Sequence, residues 1–173
     1  VVVKPSELTP KTSQLVADII EKCFYKSHAT VFQGDVLTAQ QLLSIRWDYI
    51  FFTGSVPVGK IVAKAAAKFL TPTTLELGGK SPCIIDETAD IQVRRKFLNA
   101  GRTCIAPDYI LIHEKVKNNF VASLKTAIEN AYGKNPKISD DYPRIINQRN
   151  FHRLIKMLDN ETILTGSETD ETD

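Results

Sequence analysis

Asp48-Tyr49-Ile50-Phe51-Phe52-Thr53-Gly54-Ser55-Val56-Pro57-Val58-Gly59-Lys60-Ile61 joins an aromatic, β-branched run to a glycine-bounded turn. Tyr49 to Thr53 reads as a strand, Gly54 to Gly59 as the turn, and the alanine-rich stretch Lys60 to Phe69 as the helix that it opens. Thr73 to Leu77 is again strand-like and is stopped by Gly78-Gly79. Strand, helix, strand with no hairpin signal between them is the pattern of a parallel pair with a crossover, so the expected fold class is α/β with an open, mainly parallel sheet and flanking helices.

The same alternation extends towards the beginning of the chain. Val1 to Val3 is a short β-branched run, and Ser6 or Thr9 can cap an amphipathic helix that carries Leu15, Ile19, Ile20 and Phe24. Ala29 to Phe32 reads as a second strand and Thr38 to Leu43 as a short helix. Towards the other end the pattern is less regular. Cys83 to Ile85 is apolar, Asp90 to Leu98 is compatible with a helix, and Tyr109 to His113 reads as a strand. Lys115 to Tyr132 repeats Val116, Phe120, Val121, Leu124 and Ala127 at helical spacing, with Gly133 at the stop. A last helix is expected over Asn147 to Leu158. Thr165 to Asp173 is polar and acidic and reads as a truncated loop or a disordered end.

Composition excludes several classes of function. With 173 residues, 43% hydrophobic and 24% charged, the chain has the make-up of one globular domain rather than a disordered segment. Twenty-two basic against 20 acidic residues leave a net charge of +2, so no nucleic acid or anionic membrane is expected as partner. No apolar run approaches the roughly 20 residues of a membrane helix, and Val1-Val2-Val3-Lys4-Pro5 lacks the basic-then-apolar layout of a signal peptide, so no secretion is expected. Three widely spaced cysteines suit reduced thiols in a cytoplasmic setting. The three histidines show no metal-ligand spacing, and no metal is expected.

The turn at Gly54 to Gly59 follows a strand and opens a helix, where backbone N–H groups and the helix dipole can hold a phosphate. Its Gly54, Gly59 and Lys60 also fit the P-loop spacing, but Ile61 stands where that motif needs a hydroxyl for magnesium. The dinucleotide fingerprint G-x-G-x-x-G is absent. On spacing alone the turn serves equally as a phosphate cradle or a structural corner.

Two residues carry chemistry. Cys104 lies in Asn99-Ala100-Gly101-Arg102-Thr103-Cys104, among small and polar residues with a cation nearby, a setting that exposes and activates a thiol. A lone cysteine is otherwise a small buried hydrophobe, as expected here of Cys23 and Cys83. Glu76 is a carboxylate inside an apparently buried strand, where burial would raise its pKa towards that of a general base; a solvated strand-end glutamate is the plainer alternative.

Leu75-Glu76-Leu77-Gly78-Gly79-Lys80-Ser81-Pro82 and Gly101-Arg102-Thr103-Cys104 resemble, in the right order, the two signature segments of the aldehyde dehydrogenase superfamily. Asp48 to Ser55 and Ala106-Pro107-Asp108-Tyr109-Ile110-Leu111 resemble its class 3 and fatty aldehyde dehydrogenase branch. Lys4-Pro5-Ser6-Glu7 is similar to the family's ribose-binding segment.

The resemblance implies that Cys104 is the nucleophile and Glu76 the base in oxidising a medium- or long-chain or aromatic aldehyde to a carboxylic acid. The implied cofactor is NAD, with NADP possible. Its pyrophosphate would meet Gly54, Ser55, Val56, Pro57, Val58 and Gly59, and its adenine ribose Lys4 and Glu7, the Glu7 carboxylate disfavouring a 2′-phosphate. It also implies a partial chain, with 1–78 the second part of the NAD(P)-binding domain and 79–173 the first part of the catalytic domain. The full-length form is then a homodimer.

Three departures accompany the resemblance. The family's oxyanion asparagine and its downstream nicotinamide-contacting segment fall outside this sequence, so little activity is expected of these 173 residues alone. Between Asp86 and Cys104 the chain is roughly six residues shorter than the pattern, about 9 Å of rise on a helix. Arg102 stands where the family has glutamine, and could either activate the thiol or crowd the cofactor path. The alternative function is a catalytically silent relative that binds a nucleotide or a protein partner.

Overall fold

The computed structural model describes residues 1–89, 98–159 and 161–171. The chain divides into two compact units, Val1–Leu77 and Gly78–Asp173.

In the first unit the order is β1 (Val2–Val3), α1 (Pro10–Cys23), β2 (Thr30–Val31), α2 (Val36–Leu43), β3 (Ile50–Gly54), α3 (Val56–Ala67) and β4 (Thr73–Leu77). β1 pairs with β2 and β3 with β4, both in parallel. In the second unit β5 (Pro82–Ile85) pairs in parallel with β6 (Tyr109–Ile112), followed by α4 (Glu114–Tyr132) and α5 (Gln148–Ile155). The α/β class and the parallel pairing expected from the alternation are therefore present. Among the described residues, however, the strands form three separate two-stranded ladders rather than one continuous sheet. The helix expected over Asp90 to Leu98 lies almost wholly outside the described residues.

α3 shows how the sequence builds its unit. Gly59, Val62 and Ala66 are buried and recur on one face, which packs against β3 and β4. At Gly59 the helix lies close to β4: a Cβ there would stand 2.8 Å from Cδ2 of Leu77. Gly59→Val should therefore lose about 1–3 kcal/mol through overpacking, read as a lower urea midpoint at unchanged slope. The far end of the helix is closed by Leu70 in the left-handed region at φ 55°, with Leu70 N–H donating to the Ala67 carbonyl and Thr71 N–H to that of Ala66. This is the paired bonding of a Schellman stop with leucine in the position that glycine usually fills.

α1 corrects the sequence reading. Its buried residues are the small Ser13 and Ala17, and it packs against β2. Leu15, Ile19 and Phe24, expected to form its packing face, are about half exposed. A small-residue face lets the helix approach closely, and Ser13 Oγ donates to the Ser6 carbonyl at 2.6 Å. Thr9 is the N-cap residue but makes no side-chain cap bond; Pro10 sets the first turn instead. α2 is capped by the Asp35 carboxylate, which accepts from Leu37 N–H at 2.9 Å and Thr38 N–H at 3.4 Å.

In the second unit, α4 buries Phe120 and Tyr132, and the Tyr132 ring meets Tyr142 edge to face at 4.9 Å. Asn147 caps α5 through Asn150 N–H at 2.9 Å. The acidic stretch that read as a truncated loop or a disordered end folds back: Lys137 pairs with Asp170, the Glu171 carboxylate lies 2.8 Å from Nε2 of His152, and the Glu171 carbonyl accepts from Gln148.

Candidate active site

The corner between β3 and α3 is tighter than its sequence suggests. Gly54 is the last residue of β3, Ser55 alone links it to the helix, and α3 starts at Val56, four positions before Lys60. Pro57 falls in the first turn, where its fixed φ suits a helix and its missing N–H costs nothing. The first helical bond runs from Gly59 N–H to the Ser55 carbonyl at 2.8 Å, and the Ser55 side chain makes no cap bond. The N–H groups of Val56 and Val58 thus have no intrahelical partner at an exposed, dipole-positive helix start.

Lys4 and Glu7, singled out separately in the sequence, are brought together. Lys4 Nζ donates to the Glu7 carboxylate at 2.8 Å and to the Pro5 carbonyl at 3.0 Å. The hydrogen bond from Lys4 holds the Glu7 carboxyl below its usual pKa. The pair is partly solvated, so its effect on stability is small.

Glu76 sits in β4 opposite Thr53 of β3. Side chains alternate along a strand, so Leu77, the residue that meets α3, and Glu76 project from opposite faces. Glu76 is exposed, which corrects the buried setting expected of it. The ladder has only two strands with a helix on one face, and Phe51 on the Glu76 face is also 65% exposed.

Cys104 belongs to the second unit, in an exposed turn closed by a bond from Ala106 N–H to the Thr103 carbonyl. A left-handed 3-10 turn, Leu98–Gly101, leads into it, with Asn99, Ala100 and Gly101 at φ 51°, 52° and 74°. Asparagine tolerates this conformation, but for Ala100 it costs about 1–2 kcal/mol, so the surroundings must impose it. The Arg102 guanidinium donates to the carbonyls of Asn99, Pro143 and Arg144. From another direction Gly79 closes on the turn: a Cβ there would lie 3.3 Å from the Cys104 carbonyl oxygen. Gly79 stood out in the sequence only as part of a strand stop and a signature segment, and the Pro143-Arg144 carbonyls not at all. Cys83 is half-buried, as expected, but Cys23 is exposed at the end of α1, so burial does not set Cys104 apart from both other thiols.

The chain belongs to the aldehyde dehydrogenase family, whose model matches residues 1–168. It is 44% identical over 178 aligned positions to the 4,4'-diaponeurosporen-aldehyde dehydrogenase of Staphylococcus aureus, covering 98% of this chain and 39% of that protein. It is 46% identical to aldehyde dehydrogenase family 3 member A2 of Pongo abelii, covering 99% of this chain and 36% of that protein. Among solved structures, the substrate-bound state of Staphylococcus aureus AldH superposes with a TM-score of 0.87 at 42% identity, over 99% of this chain and 39% of that one. The chain thus spans less than two fifths of the length of these relatives. No helix among its described residues is long and apolar enough to cross a membrane.

Proposed function

We propose that the protein carrying this chain oxidises an aldehyde to a carboxylic acid with NAD(P)+, Cys104 acting as nucleophile and Glu76 as the base that activates water. The observation that carries the proposal is the exposed thiol of Cys104, held in an imposed turn against Gly79, in a chain whose family match runs from residue 1 to 168. That continuous match favours the enzyme over a silent nucleotide- or partner-binding relative.

The residues present suit a dinucleotide. The exposed start of α3, from Ser55 to Val58, offers N–H groups to a pyrophosphate, and the Lys4–Glu7 pair offers a cation and an acceptor to a ribose. When bound, the nicotinamide supplies the two-electron oxidant. The chain's own groups do the rest. The Cys104 thiolate bonds to the carbonyl carbon, giving a thiohemiacetal that is oxidised to a thioester. Glu76 takes a proton from water as the water oxygen bonds to the acyl carbon; the C–S bond breaks, the acid leaves and the thiolate returns.

On this reading the first unit holds the cofactor and the second carries the nucleophile. The substrate class is a medium- or long-chain or aromatic aldehyde, consistent with one relative being named for 4,4'-diaponeurosporen-aldehyde. Its thiol chemistry places the protein in a reducing compartment, the cytoplasm, and its full-length form is a homodimer. The test is aldehyde-dependent formation of reduced nicotinamide by the full-length protein. Its absence with every aldehyde of that class would overturn the proposal. The same assay checks Glu7: Glu7→Gln should raise the NADP-to-NAD ratio of kcat/KM by about tenfold, by removing a carboxylate that repels a 2′-phosphate.

A further inference from the structure

We infer that Arg102 is a positioning residue for the Cys104 turn, tying it to Pro143 and Arg144 so that the thiol is presented in one geometry; the inference rests on reading Cys104 as the nucleophile. One guanidinium spans two distant stretches of chain. Nε donates to the Asn99 carbonyl at 3.2 Å, Nη1 to that of Arg144 at 2.7 Å and Nη2 to that of Pro143 at 3.3 Å. The Arg102 backbone N–H donates to the same Asn99 carbonyl at 3.1 Å.

These four bonds account for the left-handed run immediately before the thiol. Asn99 tolerates its φ of 51°, but Ala100 carries a φ of 52° that its side chain disfavours, and such a residue persists only where neighbouring bonds over-determine it. Two of the four bonds end on Asn99 itself and two on the loop that precedes α5. Loss of the side chain removes three of them and frees Asn99 and Ala100 to return to ordinary φ. Because Cys104 lies four residues beyond Ala100, that return moves the sulfur.

The chemistry of the side chain suits the task. A guanidinium is planar, stays charged at every accessible pH and fans its N–H donors in one plane, so it can serve three carbonyls at once. A lysine ammonium is a single point that cannot reproduce that fan. Gly79 passes close beside the turn, where an added Cβ would stand 3.3 Å from the Cys104 carbonyl oxygen. Arg102 is therefore the side chain that ties the turn to the segment before α5.

The experiment uses the full-length protein with Arg102→Ala, Arg102→Gln and Arg102→Lys, each first checked for native circular dichroism. Amide hydrogen exchange should accelerate several-fold in peptides covering 98–106 and, in step, in those covering 142–147, with other segments unchanged. In single turnover the acylation rate should fall about 10–100-fold, as expected for a displacement of about 1 Å at a reacting group, while KM for the cofactor stays put. Methylguanidine added to Arg102→Ala should restore part of the rate, and Arg102→Lys should recover less than the unsubstituted protein. Exchange that changes at 98–106 but not at 142–147 would overturn the inference, as would an unaltered acylation rate. Coupled exchange with no acylation in the unsubstituted protein would instead remove Cys104 as nucleophile and leave Arg102 a tether without a catalytic role.

Discussion

Cys104→Ala should abolish aldehyde-dependent formation of reduced nicotinamide in the full-length protein, a loss on the order of 10⁴–10⁶ by analogy with the removal of other covalent nucleophiles. Without the sulfur no thiohemiacetal forms, and a free aldehyde gives the oxidant no tetrahedral carbon held in place. Cys104 is exposed, and substitution of an exposed side chain ordinarily changes stability by less than about 0.5 kcal/mol. The melting temperature should therefore stay where it is while activity disappears. That separation makes the outcome chemical rather than structural. Turnover surviving at more than about one part in a hundred would remove Cys104 from the mechanism.

Glu76→Gln should give a different kinetic signature. If Glu76 activates the water that cleaves the thioester, its loss leaves acylation intact and slows the second half of the cycle by about 10²–10⁴. The expected trace is a burst of reduced cofactor close to one equivalent per active site, followed by a slow steady state. Intact-protein mass spectrometry should find the acyl group on Cys104. Glutamine keeps the shape of the side chain, and position 76 is exposed, so no folding defect should intrude. A burst slowed as much as the steady state would shift Glu76 to the acylation step.

The part of the fold legible in the sequence is the part set by local chemistry. The apolar run Tyr49 to Phe52, Gly54 at the strand end and the alanines of α3 lie within a few residues of one another, and each suits the state that forms. Even so, Val56-Pro57-Val58 reads as part of a turn bounded by Gly54 and Gly59, with the helix beginning at Lys60. Its first-turn position reverses the meaning of that proline and moves the helix start by four residues. The packing face of α1 is not legible by hydrophobicity, since Ser13 and Ala17 are chosen for closeness rather than apolar area. Within the candidate site, Cys104 and Glu76 stand out through residue type, whereas the exposure of Glu76 depends on what covers β4. The tie from Arg102 to Pro143 and Arg144 spans 41 and 42 positions and leaves no local trace. Ala100 at positive φ is illegible for a further reason: nothing in its side chain favours that conformation.

Leu70 carries a consequence for engineering. It is 90% exposed and its φ is 55°, so the position makes almost no demand on side-chain volume or polarity and a strong one on backbone handedness. Among substitutions there, size and charge should be nearly immaterial, while glycine and asparagine should rank above every β-branched residue. The position would thus act as a built-in gauge of left-handed preference, with a ranking taken straight from melting temperatures and uncontaminated by packing.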